Sequence, residues 1–173
     1  MEKGQGDGKM IPKYYSFTSP IGELTIYFNE EGIIGLAFYG DKLEEYIEKY
    51  YGPPMEVNKE DYNYHHEIIQ YLQGDLKEFT LPIYLRGTEF QKKVWKELLN
   101  IPYGETRTYK EIAEKVNCPK GFRAVGNALN KNPVAIIVPC HRVVGSNGKL
   151  VGFAGGLELK EKLLELEKNN RTK

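Results

Sequence analysis

Along the 173-residue chain the spacing of apolar positions changes near the middle. In residues 14–38, aromatic and β-branched side chains crowd three stretches, YYSFTS, ELTIYFN and IIGLAFYG. Pro20-Ile21-Gly22 and Glu30-Glu31-Gly32 separate them. Such runs between turn residues predict strands joined by tight turns. Asp41 precedes LEEYIEKYYG, which predicts a helix capped by Asp41 and stopped by Gly52, with Pro53-Pro54 breaking the chain behind it. Residues 60–72 predict a second helix and LPIYL at 81–85 a short strand. The first half therefore reads as a small α+β unit of antiparallel strands and helices.

The second half is helical. Phe90, Val94, Leu98 and Ile101 recur at helical spacing beside Trp95, with Thr88 as cap and Pro102-Tyr103-Gly104 as the stop. Thr108 then precedes YKEIAEKV, whose Ile112, Ala113 and Val116 share one side. Pro119 cannot continue a helix and biases Cys118 away from helical backbone, so Asn117-Cys118-Pro119 predicts a turn. A third helix follows over 120–130, with Phe122, Val125 and Leu129 predicted to face inward. Two short helices across a tight turn suggest a helix-turn-helix, although the same arrangement serves as plain packing in many enzymes. VAIIV at 134–138 predicts a buried strand. The last helix is LELKEKLLELE, after Gly155-Gly156. At roughly 100° per residue its Glu158, Glu161 and Glu165 form a solvated face, while Glu167 falls in the middle of the opposite, leucine face. A carboxylate there is either buried and paired, for which a histidine N–H is suitable, or at a frayed helix end.

Composition narrows the class. Apolar residues make up 40% and charged residues 28%, as in globular proteins. No apolar run approaches the roughly 20 residues of a membrane span, and MEKGQGDGKM has no apolar core, so no secretory signal is expected. Cys118 and Cys140 alone cannot make a disulfide framework or a four-thiolate site, and a reducing, cytoplasmic location is the expectation. Charge is distributed unevenly. Residues 1–85 carry 7 basic and 15 acidic groups, net −8, whereas residues 86–173 carry 17 and 9, net +8. Residues 115–157 hold no acid, against Lys115, Lys120, Arg123, Lys131, Arg142 and Lys149. A basic stretch can be a merely solvated face, but polyanions are its natural partners. Here it coincides with the second helix of the pair, whose Gly121, Ala124, Gly126 and Ala128 would let a phosphodiester backbone come close.

The candidate chemistry sits in Pro139-Cys140-His141-Arg142. An imidazole and a guanidinium beside a thiol make an electropositive setting, which predicts a lowered thiol pKa and a nucleophilic thiolate. A cysteine can equally be a small buried hydrophobe. Neighbouring side chains on extended backbone point to opposite faces, so a Cys140–His141 link needs a turn or a bridging water, unlike the distant pairs of thiol proteases. On these grounds alone the residues describe a nucleic-acid-binding protein with a reactive thiol; a binding module without transfer and a thiol hydrolase remain as alternatives.

PCHRVV at 139–144, preceded by RAVGNALNKNPVAIIV and followed by GFAGGLELKEKLLELE, resembles the O6-alkylguanine-DNA alkyltransferases, as does FQKKVWKELLNIPYGETRTYKEIA at 90–113. The match runs nearly without gaps from about residue 85 to 167; the first 85 residues agree in layout more than in sequence. The resemblance implies an α+β fold, with a ribonuclease-H-like domain of antiparallel strands and helices over 1–85 and a mostly helical DNA-binding and alkyl-transfer domain over 86–173. It implies a suicide DNA repair protein, a single-turnover methylated-DNA–protein-cysteine methyltransferase. Such a protein flips the damaged nucleotide out of the duplex and moves the alkyl group of O6-alkylguanine, with O4-alkylthymine a further candidate, onto Cys140. His141 would act through a water with Glu167 behind it, Tyr109 would hydrogen-bond the flipped base and help protonate it, and Asn132 would brace the turn before the nucleophile. The carbonyls of Cys140 and Val143 would accept from the guanine amino group, with Leu129, Phe153 and Ala154 lining the pocket. Arg123 would fill the vacated place in the duplex, and Thr108, Lys120, Ala124, Gly126 and Asn127 would meet DNA in the minor groove. No metal or other cofactor is required, and a monomer is expected. Phe153 and Ala154 stand where many relatives have Tyr and Ser. The zinc ligands of some eukaryotic relatives are missing, since no cysteine precedes Cys118; His65 and His66 are expected as surface helix residues and Cys118 as structural.

Overall fold

Alternation in the first strands is set by the sheet they form. In the structure, a computed structural model that describes residues 11–153 and 155–172, strands β1 (Lys13–Ser19), β2 (Gly22–Asn29) and β3 (Gly32–Phe38) pair antiparallel. Strand β4 (Met55–Glu56) runs parallel to β1 at the edge, giving the order β3-β2-β1-β4. Tyr15 lies opposite Ile26 and Phe17 opposite Leu24, so the apolar set of each strand meets that of its neighbour on one face. Helix α1 (Leu43–Tyr51) lays Ile47 against Tyr27, Ile34 and Ala37. Helix α2 (His65–Leu72) buries Ile68, Tyr71 and Leu72, and its His65 ring packs edge-on to Tyr15. Gly32 has a left-handed φ of 135°, and a Cβ there would lie 2.7 Å from the Pro82 carbonyl oxygen, so this turn needs glycine twice over.

Three expectations for this half need correction. Asp41 is not the cap of α1: Lys42 is, and the Asp41 carboxylate instead accepts from the Lys42 N–H. Residues 60–72 are not one helix. A 3-10 turn at Lys59–Asp61, capped by Asn58, gives way to extended backbone at Tyr62 before α2 begins. LPIYL makes only one parallel rung, Ile33 with Ile83, because Pro82 has no N–H with which to extend a ladder. His65 is half-buried with its Nδ1 2.9 Å from the Tyr15 hydroxyl, whereas His66 is exposed.

The chain divides into two compact units, residues 1–85 and 86–173. The second is built on α3 (Glu89–Leu98), α4 (Tyr109–Lys115), α5 (Phe122–Asn130) and α6 (Leu157–Asn170), with the two-residue strands β5 (Arg107–Thr108) and β6 (Val143–Val144) paired in parallel. Thr88 and Thr108 both form full capping boxes, with Gln91 and Glu111 reaching back to the cap N–H. Val94, Trp95 and Leu98 of α3 are buried, and the Trp95 Nε1–H donates to the Ala128 carbonyl of α5 at 2.8 Å. The turn between α4 and α5 has Asn117 at φ 61°.

In this half the apolar run at 134–138 is not a strand. It folds on itself as a buried turn: Val138 N–H donates to Val134 O at 2.9 Å, Ile137 N–H to Ala135 O at 2.9 Å, and Ile136 takes φ 75°. Phe122 does not face inward with Val125 and Leu129; it is 49% exposed on the outer side of α5, and Ala128 takes the buried position. Among the described residues no helix is long and apolar enough to cross a membrane.

Candidate active site

The buried turn at 134–138 is what presents the thiol. Asn132 spans it, its Nδ2 donating to Val138 O at 2.8 Å and its Oδ1 accepting from Val134 N–H at 2.9 Å. Directly after Pro139, residues Cys140–Arg142 form one 3-10 turn rather than the end of a strand, so Cys140 and His141 leave the backbone in different directions. Cys140, 7% exposed, lines a small cavity with Tyr109 of α4, Leu129 and Asn130 of α5, and Gly152 and Phe153 from the loop before α6. Its volume is about 10 Å³, room for about one water molecule.

His141 points the other way, fully buried, with Nε2 2.8 Å from Glu167 Oε2. Glu167, 1% exposed, takes the buried and paired alternative, not the frayed one. Arg142 grips the same carboxylate: Nε donates at 2.9 Å to Oε1, Nη2 at 2.9 Å to Oε2, and Nη1 at 2.6 Å to the Ile101 carbonyl. Gly104 N–H adds a bond of 3.1 Å to Oε1. Both carboxylate oxygens thus meet several donors, the condition under which a buried charge is tolerated.

These contacts set the protonation states. Burial alone would push the Glu167 carboxyl up, but the hydrogen bonds from His141 and Arg142 and the positive charge beside it outweigh this and hold the group at about 2. Burial pushes the His141 imidazole below its ordinary range, against the pull of Glu167, so the ring is neutral at pH 7 and the fixed positive charge on Glu167 is that of Arg142. With the Nε2–H donated to Glu167, Nδ1 is the nitrogen able to take a proton. For Cys140 the expectation of a lowered pKa is overturned: burial raises it, while the Asn132 amide and the Lys160 charge pull down less strongly. The electropositive neighbour in sequence, Arg142, directs its charge at Glu167 instead.

The outer face of α5 is open. Phe122, Arg123, Ala124 and Asn127 are exposed, as are Lys120 before the helix and Lys131 after it, and a Cβ added at Gly126 would meet nothing. Thr108 differs from these: its hydroxyl oxygen accepts from Glu111 N–H as the cap of α4.

The family profile described as "6-O-methylguanine DNA methyltransferase, DNA binding domain" matches residues 89–169, and its partner, "6-O-methylguanine DNA methyltransferase, ribonuclease-like domain", matches residues 13–85. The chain belongs to the 6-O-methylguanine DNA methyltransferase family. A methylated-DNA–protein-cysteine methyltransferase of Methanosarcina mazei is 47% identical over 157 residues, 91% of this chain and 98% of that protein. The crystal structure of Mycobacterium tuberculosis OGT in complex with DNA superposes with a TM-score of 0.79 at 41% identity, covering 91% of this chain and 94% of that one. The O6-methylguanine-DNA methyltransferase of the hyperthermophilic archaeon Pyrococcus kodakaraensis gives 0.69 at 30% identity, covering 91% and 99%.

In this member of the 6-O-methylguanine DNA methyltransferase family, Cys140, Tyr109, Leu129 and Phe153 meet at one cavity, His141 and Glu167 meet behind the turn, and Asn132 joins the two ends of that turn. Val143 is buried in β6, its N–H donating to the Cys140 carbonyl. The α5 residues Arg123, Ala124 and Asn127 stand apart from the cavity on the helix exterior. Ala154 lies outside the described residues. Sequence reasoning missed Asn130 and Gly152 in the cavity wall, the clamp of Arg142 on Glu167, and above all Lys160. That lysine is 1% exposed, with Nζ donating to the carbonyls of Val151 at 2.8 Å and Gly152 at 3.3 Å. A signal was present: Lys160 precedes Glu167 by seven residues, two helical turns, and so lies on the same leucine face.

Proposed function

We propose that this protein removes the alkyl group from O6-alkylguanine in duplex DNA by transferring it irreversibly to Cys140 Sγ, once per molecule. The observation that carries the reading is the thiol lining one cavity with Tyr109, with His141 and Arg142 of the same 3-10 turn both bonded to Glu167 of α6. The reaction is a displacement at a saturated carbon. Sγ forms a bond to the alkyl carbon, and the carbon–O6 bond breaks with its electron pair on the purine. The thiol proton passes through a water to His141 Nδ1, and the departing base gains a proton from the Tyr109 hydroxyl, which His141 restores through the same water. Burial raises the pKa of Tyr109, so it stands protonated and able to donate. The product is a thioether, which no group in the site can cleave.

A cavity of about 10 Å³ holds no purine, so the nucleotide enters from outside after leaving the base stack, at a cost of a few kcal/mol. The exposed face of α5 fits the task of meeting DNA. Small residues Ala124 and Gly126 permit close approach in a minor groove, Lys120 and Lys131 reach phosphate, and Arg123 occupies the gap in the stack. Thr108 acts first as a cap and can offer its O–H to a phosphate. The residue 86–173 unit carries binding and transfer as a monomer, and a thiol that is consumed by its reaction belongs in the reducing cytoplasm.

Incubation with one equivalent of duplex containing O6-methylguanine should add one methyl to the peptide holding Cys140, and Cys140→Ser should abolish this while still binding DNA. An unmodified peptide with the lesion intact, read by mass spectrometry, overturns the proposal.

A further inference from the structure

The Val151 carbonyl oxygen accepts from two side chains: the Tyr109 hydroxyl at 3.1 Å and Lys160 Nζ at 2.8 Å. The two donors differ in freedom. Tyr109 lines the cavity and is half-buried, so an entering base can compete for its hydroxyl. Lys160 is buried along its length, and its ammonium donates to the consecutive carbonyls of Val151 and Gly152. If those carbonyls moved away together, a cation inside the protein would lose both acceptors, a far larger cost than loss of a neutral hydrogen bond. The segment that contributes Gly152 and Phe153 to the cavity is therefore held at the Val151 carbonyl by two donors, only one of which can be exchanged, and further on Gly156 N–H donates to the Phe153 carbonyl at 2.9 Å.

We propose that Lys160 is a positioning residue for alkyl transfer: it holds the Val151 and Gly152 carbonyls as a fixed pivot while Tyr109 hands its hydroxyl from Val151 to the entering base. The inference rests on the function proposed above. The cavity has to enlarge before a base can enter, and its other walls are Cys140 in its 3-10 turn and the helices α4 and α5, whose backbones are tied by their own hydrogen bonds. When the Tyr109 hydroxyl turns to the base, Lys160 still holds the same Val151 oxygen and that of Gly152, so Phe153 keeps its place beside Cys140. Burial works against the charge on Lys160, while a thiolate at Cys140 favours it, so the pivot is firmest when the nucleophile is ready.

A double-mutant cycle between Lys160→Met and Tyr109→Phe tests this, read as the first-order rate of methyl uptake from O6-methylguanine duplex at saturating protein. Lys160→Met should slow transfer by about 10- to 100-fold, the scale of a misplaced reacting group. Duplex affinity should be unchanged. In the Tyr109→Phe background the same substitution should cost less than about threefold, because there is no hydroxyl to hand over. Lys160→Arg, which keeps the donors, should restore most of the rate. Amide exchange should quicken at residues 150–153 in Lys160→Met and not within α6. Equal losses in both backgrounds would make Lys160 a merely structural residue and overturn the pivot while leaving the function intact. Wild-type protein that takes up no methyl would overturn the function itself, and unaltered exchange at 150–153 would overturn the pivot on its own. Should Lys160→Met fail to fold, Lys160→Leu, which likewise carries no donor, enters the same cycle with the same criteria.

Discussion

Glu167 has a folded pKa of about 2, below the roughly 4.3 of an unfolded glutamate, so its pairing stabilises the protein above that value and is lost as the pH falls toward 2. The contribution at neutral pH is on the order of 3 kcal/mol. Denaturant unfolding at pH 7, 4.5 and 3 should show this loss in the wild type and a flatter profile in Glu167→Gln. The counter-charge is Arg142, since burial keeps His141 neutral. Arg142→Leu therefore leaves a buried carboxylate with a neutral neighbour and should cost about 3–5 kcal/mol by the same measurement. The lowered pKa of His141 also fixes the acid limb of the reaction. Methyl transfer should hold its rate from pH 8 to below about 6.5, where an ordinary histidine would already be protonated, and fall only at lower pH. Stopped-time transfer assays across that range check the sign.

At the scale of elements, helix α4 depends on a cap that also sets the direction of Tyr109, the first residue after it. Thr108→Ala should lose about 1 kcal/mol, visible as a lower Tm. On α5, Arg123→Ala should slow methyl transfer much more than it weakens duplex affinity; equal effects on both would overturn the place in the stack proposed for it. The Thr88 cap was legible in the sequence because a cap residue stands directly before the helical spacing; the reciprocal bonds from Gln91, and the matching Thr108–Glu111 pair, came from the structure. Glu167 was legible because helical geometry carries a side chain predictably around an axis. The turn at 134–138 was not, since five apolar residues satisfy a buried strand and a buried turn equally, and nothing local announces the positive φ of Ile136. Phe122 was misplaced by periodicity: on a nine-residue helix an apolar residue at the first position has no preceding turn to fix its side. The thiol pKa was read from neighbours in sequence, while the charge that faces Cys140 comes from Lys160, twenty residues away.

The molecule as a whole keeps opposite charges in its two units, net −8 over residues 1–85 and +8 over 86–173. Binding to duplex should weaken as salt rises. Lys120→Ala with Lys131→Ala should flatten the slope of log K against log salt by about 0.9 for each phosphate no longer neutralised. Titrations at several salt concentrations with undamaged duplex test this apart from any transfer. The cramped cavity has one further consequence for a protein that reacts only once. Stray electrophiles in the cell find Cys140 walled off and protonated, whereas Cys118, in the turn before α5, is more open to them. Iodoacetamide should accordingly label Cys118 first, and a resting stock of protein should keep its acceptor sulfur intact until a lesion arrives.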